Sequence, residues 1–196
     1  MTPDTTAPTL ALLLVDLQNA YFEAPALAGV RESLIERANE LVRAARAAGR
    51  PVVLVRTEHA RDRSTWTINM RADGEGFAFR GTEQAAYVST LERAGAIDVV
   101  KTRDDAFHGT RLREVLSGLG VSQLLIGGVS THSCVAETAM AAFAHDYRVA
   151  IAGEAVASEN GSLAAAMLDF LTEELRQPVL DHAASLRLLQ GPLDAR

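Results

Sequence analysis

Two apolar patterns alternate along the chain. Short, mostly apolar runs occupy residues 10–15, 51–55, 97–100, 123–126 and 148–152. Between them lie longer segments with apolar residues three and four apart. Runs without polar alternation suit strands covered on both faces, as in a parallel sheet. The periodic segments suit amphipathic helices. The clearest of these is 31–48, with Leu34, Ile35, Ala38, Leu41, Val42 and Ala45 on one face. Gly49 ends it and Pro51 prevents its continuation. Strand, helix, strand in that order implies a right-handed crossover and a parallel pair. Further helices are predicted over 110–119 and 163–175. Residues 177–180 read as a short edge strand, where a proline is tolerated. The pattern predicts an α/β protein: a three-layer α/β/α sandwich with a mainly parallel, Rossmann-like six-stranded sheet. Residues 1–196 read as one domain, preceded within it by a loose tail over 1–8.

Residues 56–87 break the pattern. They hold Trp66, Gly74, Gly76, Phe77, Phe79 and Gly81. A long glycine-rich loop with aromatics is more often functional than connective. It reads either as a pocket wall over the strand ends or as a packed surface loop.

The chain is organised around the stretch from Gly127 to Glu137. A buried strand over 123–126 leads into a glycine pair, and Val135, Ala139 and Phe143 then recur at helical spacing. The expectation is a tight glycine turn, Thr131 as N-cap, and Cys134 at the third helical position. Free N–H groups and the positive dipole end lie there, and both favour a thiolate. Cys134 is the only cysteine. A free cysteine also serves as a buried small hydrophobe, so the position must be weighed against that use.

Composition adds limits. The formal charge of −6 argues against nucleic-acid and anionic-membrane partners. The run 10–15 is too short to span a bilayer. One cysteine forms no internal disulfide, which fits a reducing compartment. No basic-then-apolar leader precedes residue 10, so a cytoplasmic location is expected. Of 19 basic residues, 18 are arginine and one, Lys101, is lysine. Either an ammonium is required there, because a compact point charge is not interchangeable with a guanidinium, or the lysine is a chance survivor.

Asp16, Lys101 and Cys134 each follow a predicted parallel strand. In a doubly wound sheet such ends converge on one edge. A carboxylate there can take the thiol proton and return it to a leaving group. An ammonium favours the thiolate. Backbone N–H groups at a helix mouth can hold an oxyanion. Asp16 alone would equally suit a cap or a turn.

Three motifs stand in order: Asp16-Leu17-Gln18 with Phe22, Lys101 with Asp105-Ala106-Phe107, and Gly128-Val129-Ser130-Thr131-His132-Ser133-Cys134-Val135. In this the chain resembles the isochorismatase-like cysteine hydrolases over residues 10–180, and more loosely the streptothricin hydrolases. The resemblance implies Asp16 as general base, Lys101 as the triad lysine and Cys134 as nucleophile. It implies a cis peptide between Val129 and Ser130 and an oxyanion hole from the N–H groups of Ser130 and Cys134. It also implies a homo-oligomer and hydrolysis of a small-molecule C–N bond through a thioester. Phe22, Trp66, Phe107 and His132 are expected to line the pocket. Nicotinamidases of the family carry Asp-x-His with a further histidine. Here Thr57 stands two places before His59, and the next histidine is His108. No metal and no cofactor are therefore expected, and His59 reads as a pocket residue or an exposed loop histidine. The rivals are a vinyl-ether hydrolase, a non-catalytic binding module, and a nucleotide-binding domain. The last lacks G-x-G-x-x-G after the glycine pair.

Overall fold

A computed structural model describes residues 9–191, so the expected tail over 1–8 lies outside them. The elements run β1 (Thr9–Val15), a 3-10 turn (Asn19–Glu23), α1 (Pro25–Ala28), α2 (Arg31–Ala47), β2 (Val52–Thr57) and α3 (Ile68–Asp73). Then follow β3 (Ile97–Lys101), α4 (Leu112–Gly118), β4 (Val121–Val129), a π-helical turn (Thr131–Val135) and α5 (Ala136–Ala144). The chain continues through β5 (Arg148–Ala157), α6 (Gly161–Glu173), β6 (Val179–Leu180) and α7 (His182–Gln190). The described residues build one six-stranded sheet in the order 3-2-1-4-5-6. Every pairing is parallel.

The apolar runs explain the layers. Along β1, Leu10, Leu12 and Leu14 meet α2 and α7 through Leu34, Leu41 and Leu189. Ala11, Leu13 and Val15 meet α4, α5 and α6 through Leu112, Leu116, Ala139 and Leu171. Each buried leucine is worth about 1.5–3 kcal/mol relative to exposure, so β1 anchors both faces. The strand order reverses between β1 and β4. In such sheets the crevice beyond the carboxyl ends at that point receives the ligand.

The structure departs from the pattern in four places. The strand expected to stop at Ile126 runs on through Val129, and β5 runs on to Ala157. Gly127 and Gly128 are therefore not a tight turn. They permit close approach of β1, which is the other use of glycine inside a strand. A Cβ on Gly128 would sit 2.0 Å from the Val15 carbonyl oxygen, and its φ of 123° is closed to other residues. Thr131 does not cap a regular helix; a π-helical turn intervenes before α5. Phe143 is exposed, while Thr138, Ala139 and Ala142 take the buried face. Finally, α7 was not foreseen. Asp181 caps it, accepting a hydrogen bond from the Ala184 N–H at 2.6 Å.

Gly128→Ala is expected to destabilise the protein by about 3 kcal/mol or more, since both the clash and the φ oppose it. Chemical denaturation of the variant beside wild type checks this, and a loss under about 1 kcal/mol would contradict it.

Candidate active site

Strand register assembles the site. Val15 pairs with both Val55 and Gly128, and Thr57 pairs with Lys101. The residues one or two steps past these pairs therefore share one edge. At Asp16 the chain turns with φ 56°, and the Gln18 N–H donates to the Asp16 carbonyl at 2.7 Å. Aspartate enters this left-handed region more readily than most residues. Gln18 is buried and clamps the neighbouring segments. Its Nε2 donates to the carbonyls of Thr57 and Ala85, and its Oε1 accepts from the Thr57 N–H.

Asp16 and Lys101 form a buried ion pair, Oδ2 to Nζ, at 2.8 Å. Asp16 Oδ1 accepts from the Thr57 hydroxyl at 3.0 Å, and Thr57 in turn accepts from the Tyr21 hydroxyl at 3.0 Å. Lys101 Nζ also donates to the Arg103 carbonyl at 3.0 Å and lies 3.3 Å from Cys134 Sγ. The three strand-end residues are thus brought together. The Val129–Ser130 peptide is cis. Beyond it the Ser130 hydroxyl donates to Glu159 at 2.6 Å, and His132 Nδ1 lies 2.6 Å from the Ser158 hydroxyl. These contacts tie the turn that carries Cys134 to the loop before α6.

The electrostatics reverse one expectation. Burial would discharge Lys101, but Asp16 and then Cys134 outweigh it and hold its pKa above the ordinary value. Burial and the Asp16 carboxylate push the Cys134 thiol well up, and Asp104 adds to this against the pull of Lys101. The helix mouth therefore does not deliver a resting thiolate. Burial pushes His59 down, so its ring is neutral near pH 7.

A cavity of about 190 Å³ adjoins the trio, lined by Tyr21, Thr57, His59, Phe77, Arg103 and Asp104 among others. His59 thus faces the cavity. The trio itself does not line it; Thr57, bonded to Asp16, and Asp104, bonded to Cys134, connect the two, and larger cavities of about 350–460 Å³ lie elsewhere. Of the expected pocket residues, Phe22 packs in the core beside α2, and Phe107 stacks near His145 and Tyr147. Trp66 supports the cavity wall from behind: Nε1 donates to the Ala60 carbonyl, and the ring packs on Phe79 and Gly76. His132 lies on the loop side. None of these four lines this cavity. Tyr21, Thr57 and Asp104 were missed. Thr57 ends a strand, as Asp16 does, and that was the one readable signal. Among the described residues no group of three or more His, Cys, Asp and Glu is placed to hold a metal.

The model of the isochorismatase domain matches residues 10–184. The chain belongs to this family. A probable inactive nicotinamidase of Arabidopsis thaliana is 31% identical, covering 87% of this chain and 92% of its own. A streptothricin hydrolase of Streptomyces noursei is also 31% identical, covering 81% of this chain and 59% of its own. Other relatives are named as amidohydrolases of maleamate and ureidoacrylate. The crystal structure of an isochorismatase family protein from Desulfovibrio vulgaris superposes with a TM-score of 0.80 at 29% identity, covering 90% and 96% of the two chains. The protein is accordingly an isochorismatase-like cysteine hydrolase with the parallel α/β sheet of that family.

Because burial and carboxylates raise the Cys134 pKa, the neutral thiol dominates at pH 7 and the thiolate grows as pH rises. Alkylation of the wild type by iodoacetamide is expected to increase with pH, with a midpoint above the ordinary thiol value of about 8.5. Intact-mass kinetics across pH check this, and a midpoint below 8.5 would show that Lys101 dominates.

Proposed function

We propose that the protein hydrolyses a C–N bond of an amide, lactam or ureido group in a small molecule, with Cys134 as nucleophile. The observation that supports this most is the trio itself: a thiol 3.3 Å from an ammonium that is paired at 2.8 Å with a carboxylate. Asp16 Oδ2 takes no further hydrogen bond among the described residues, so a lone pair remains for a proton.

The thiol proton passes to Asp16 as Sγ attacks the carbonyl carbon. The raised thiol pKa makes this base necessary, since a resting thiolate is scarce. The tetrahedral oxyanion is held by the N–H groups of Ser130 and Cys134. Collapse breaks the C–N bond, and Asp16 returns its proton to the leaving nitrogen. The product is a thioester. Water then attacks it, giving its proton to Asp16, and the acid leaves with the thiol restored. Lys101, paired with Asp16, offsets the negative charge as it moves. Thr57 and Tyr21 orient Asp16 from behind. No metal or cofactor enters this scheme. The protein acts as a cytoplasmic enzyme; among the described residues no helix is long and apolar enough to cross a membrane.

A mass-detected turnover screen tests the proposal, with nicotinamide, maleamate, N-carbamoylsarcosine, a ureidoacrylate analogue, isochorismate and a streptothricin. Wild type is expected to add water to at least one C–N compound. Cys134→Ala is expected to lose at least about a thousandfold in turnover, as removal of a nucleophile does. Full turnover by Cys134→Ala would overturn the covalent route. Turnover of isochorismate alone would move the reaction to a vinyl ether.

A further inference from the structure

A second carboxylate stands at the nucleophile. Cys134 Sγ donates to Asp104 Oδ1 at 3.2 Å. Asp104 lines the cavity and is exposed to it, unlike the buried Asp16. Among the described residues no Lys, Arg or His nitrogen lies within 4.0 Å of its carboxylate. Lys101 is committed to Asp16, Cys134 and the Arg103 carbonyl. Arg103 is the formal cation that lines the cavity, and its Nη1 donates to the carbonyls of Thr65 and Thr102 at 2.8 and 2.6 Å.

Arg103 keeps its charge, but neither it nor any other cation among the described residues pairs with the Asp104 carboxylate. Asp105 is occupied as a turn residue, accepting from the Phe107 N–H at 2.7 Å. Glu137, three residues beyond Cys134, has its pKa raised by burial and by Asp104 and Asp105. His59 is neutral. Asp16 and Lys101 cancel. The Tyr21 hydroxyl is pushed well up by burial, Asp16 and Cys134, so it is neutral as well. The carboxylate nearest the thiol therefore has no ion-pair partner among the described residues.

We propose that Asp104 is a specificity-determining residue that receives a cationic group of the substrate, an ammonium or guanidinium borne close to the scissile carbonyl. This rests on the proposed attack by Cys134. A reacting carbonyl carbon sits about 3–3.5 Å from Sγ. A cation bonded to Asp104 is then held close to that carbon, because Oδ1 is itself 3.2 Å from Sγ. Its arrival has a second effect. It neutralises a charge that disfavours the thiolate, so the correct substrate helps to arm its own nucleophile. A neutral substrate leaves that charge in place.

The test needs no known substrate, because Cys134 is the only thiol. Wild type and Asp104→Asn are treated with three methanethiosulfonates: the cationic aminoethyl, the neutral methyl and the anionic sulfonatoethyl reagents. Intact mass follows each reaction, at low and high salt. Wild type is expected to favour the cationic over the anionic reagent by at least about tenfold at low salt, a preference that salt reduces. Asp104→Asn is expected to lose most of that preference while reacting faster with the neutral reagent. Asp104→Glu, which retains the charge, is expected to keep it. Equal rates in wild type, no reaction with the cationic reagent, or a preference unchanged in Asp104→Asn would overturn the proposal. The turnover loss of Cys134→Ala is read separately, so a wrong mechanism and a wrong role for Asp104 give different results.

Discussion

The site depends on one buried ion pair. Asp16 and Lys101 are 0% and 1% exposed. Taking two such charges out of water costs several kcal/mol each, and their attraction repays this only with good geometry and further hydrogen bonds. Both conditions hold. The Thr57 hydroxyl serves the carboxylate and the Arg103 carbonyl serves the ammonium. A hydrophobic pair of similar size would fill the same space without that cost. The pair is thus better explained by chemistry than by stability, as strongly perturbed buried groups in a cleft often are. It also joins β1 to β3 across β2, so the sheet edge and the active site are set by one contact.

The thiol follows from that pair. Its neighbours are two carboxylates and one ammonium, and the ammonium is already shared. A resting thiolate would add a third anion to a site whose single ammonium is already paired with Asp16. Burial and the carboxylates favour the protonated thiol, and in the proposed mechanism attack is coupled to proton transfer. This suits a cycle in which Asp16 alternates between base and acid, because the proton it accepts is the proton the leaving nitrogen needs. A fully ionised thiol would leave Asp16 without that proton.

Part of this was readable from the residues. Asp16 and Lys101 each end an apolar run that the sheet buries on both faces, and strand ends in such sheets converge. Lys101 also stood out as the single lysine. Cys134 was legible by position, but its ionisation was not. A helix dipole can be read along the chain, whereas burial and the approach of Asp104 arise only in three dimensions. Thr57 and Tyr21 act through contacts across 36 to 41 residues. Phe22 and Phe107 illustrate a different limit. An aromatic just past a strand end looks the same whether it lines a pocket or closes the core. The glycine pair was misread for a similar reason. Gly127 and Gly128 suit a turn locally, and the strand running beside them at Val15 decides otherwise.

The trio and the cavity wall are built from different parts of the chain. Asp16 holds φ 56° and Gly128 holds φ 123°, where β1 and β4 lie too close for any other strand geometry. A non-glycine residue in the left-handed region costs about 1–3 kcal/mol, so the packed strands around Asp16 must over-determine it. This rigid edge carries the trio. The cavity wall is built instead from the segment between β2 and β3, where Trp66, Gly76 and Phe79 stack and His59 bridges to Phe79. That segment bonds mainly to residues beside the trio, as Gln18 does to the Ala85 carbonyl and Arg103 to the Thr65 carbonyl, and meets Lys101 through the Glu58 N–H and the Lys101 carbonyl. None of these bonds uses the Asp16, Lys101 or Cys134 side chains, so the wall's side chains can differ without disturbing the trio. Similarity over the sheet then identifies the kind of chemistry, and the proposed role of Asp104 places the choice of substrate in the wall and its base.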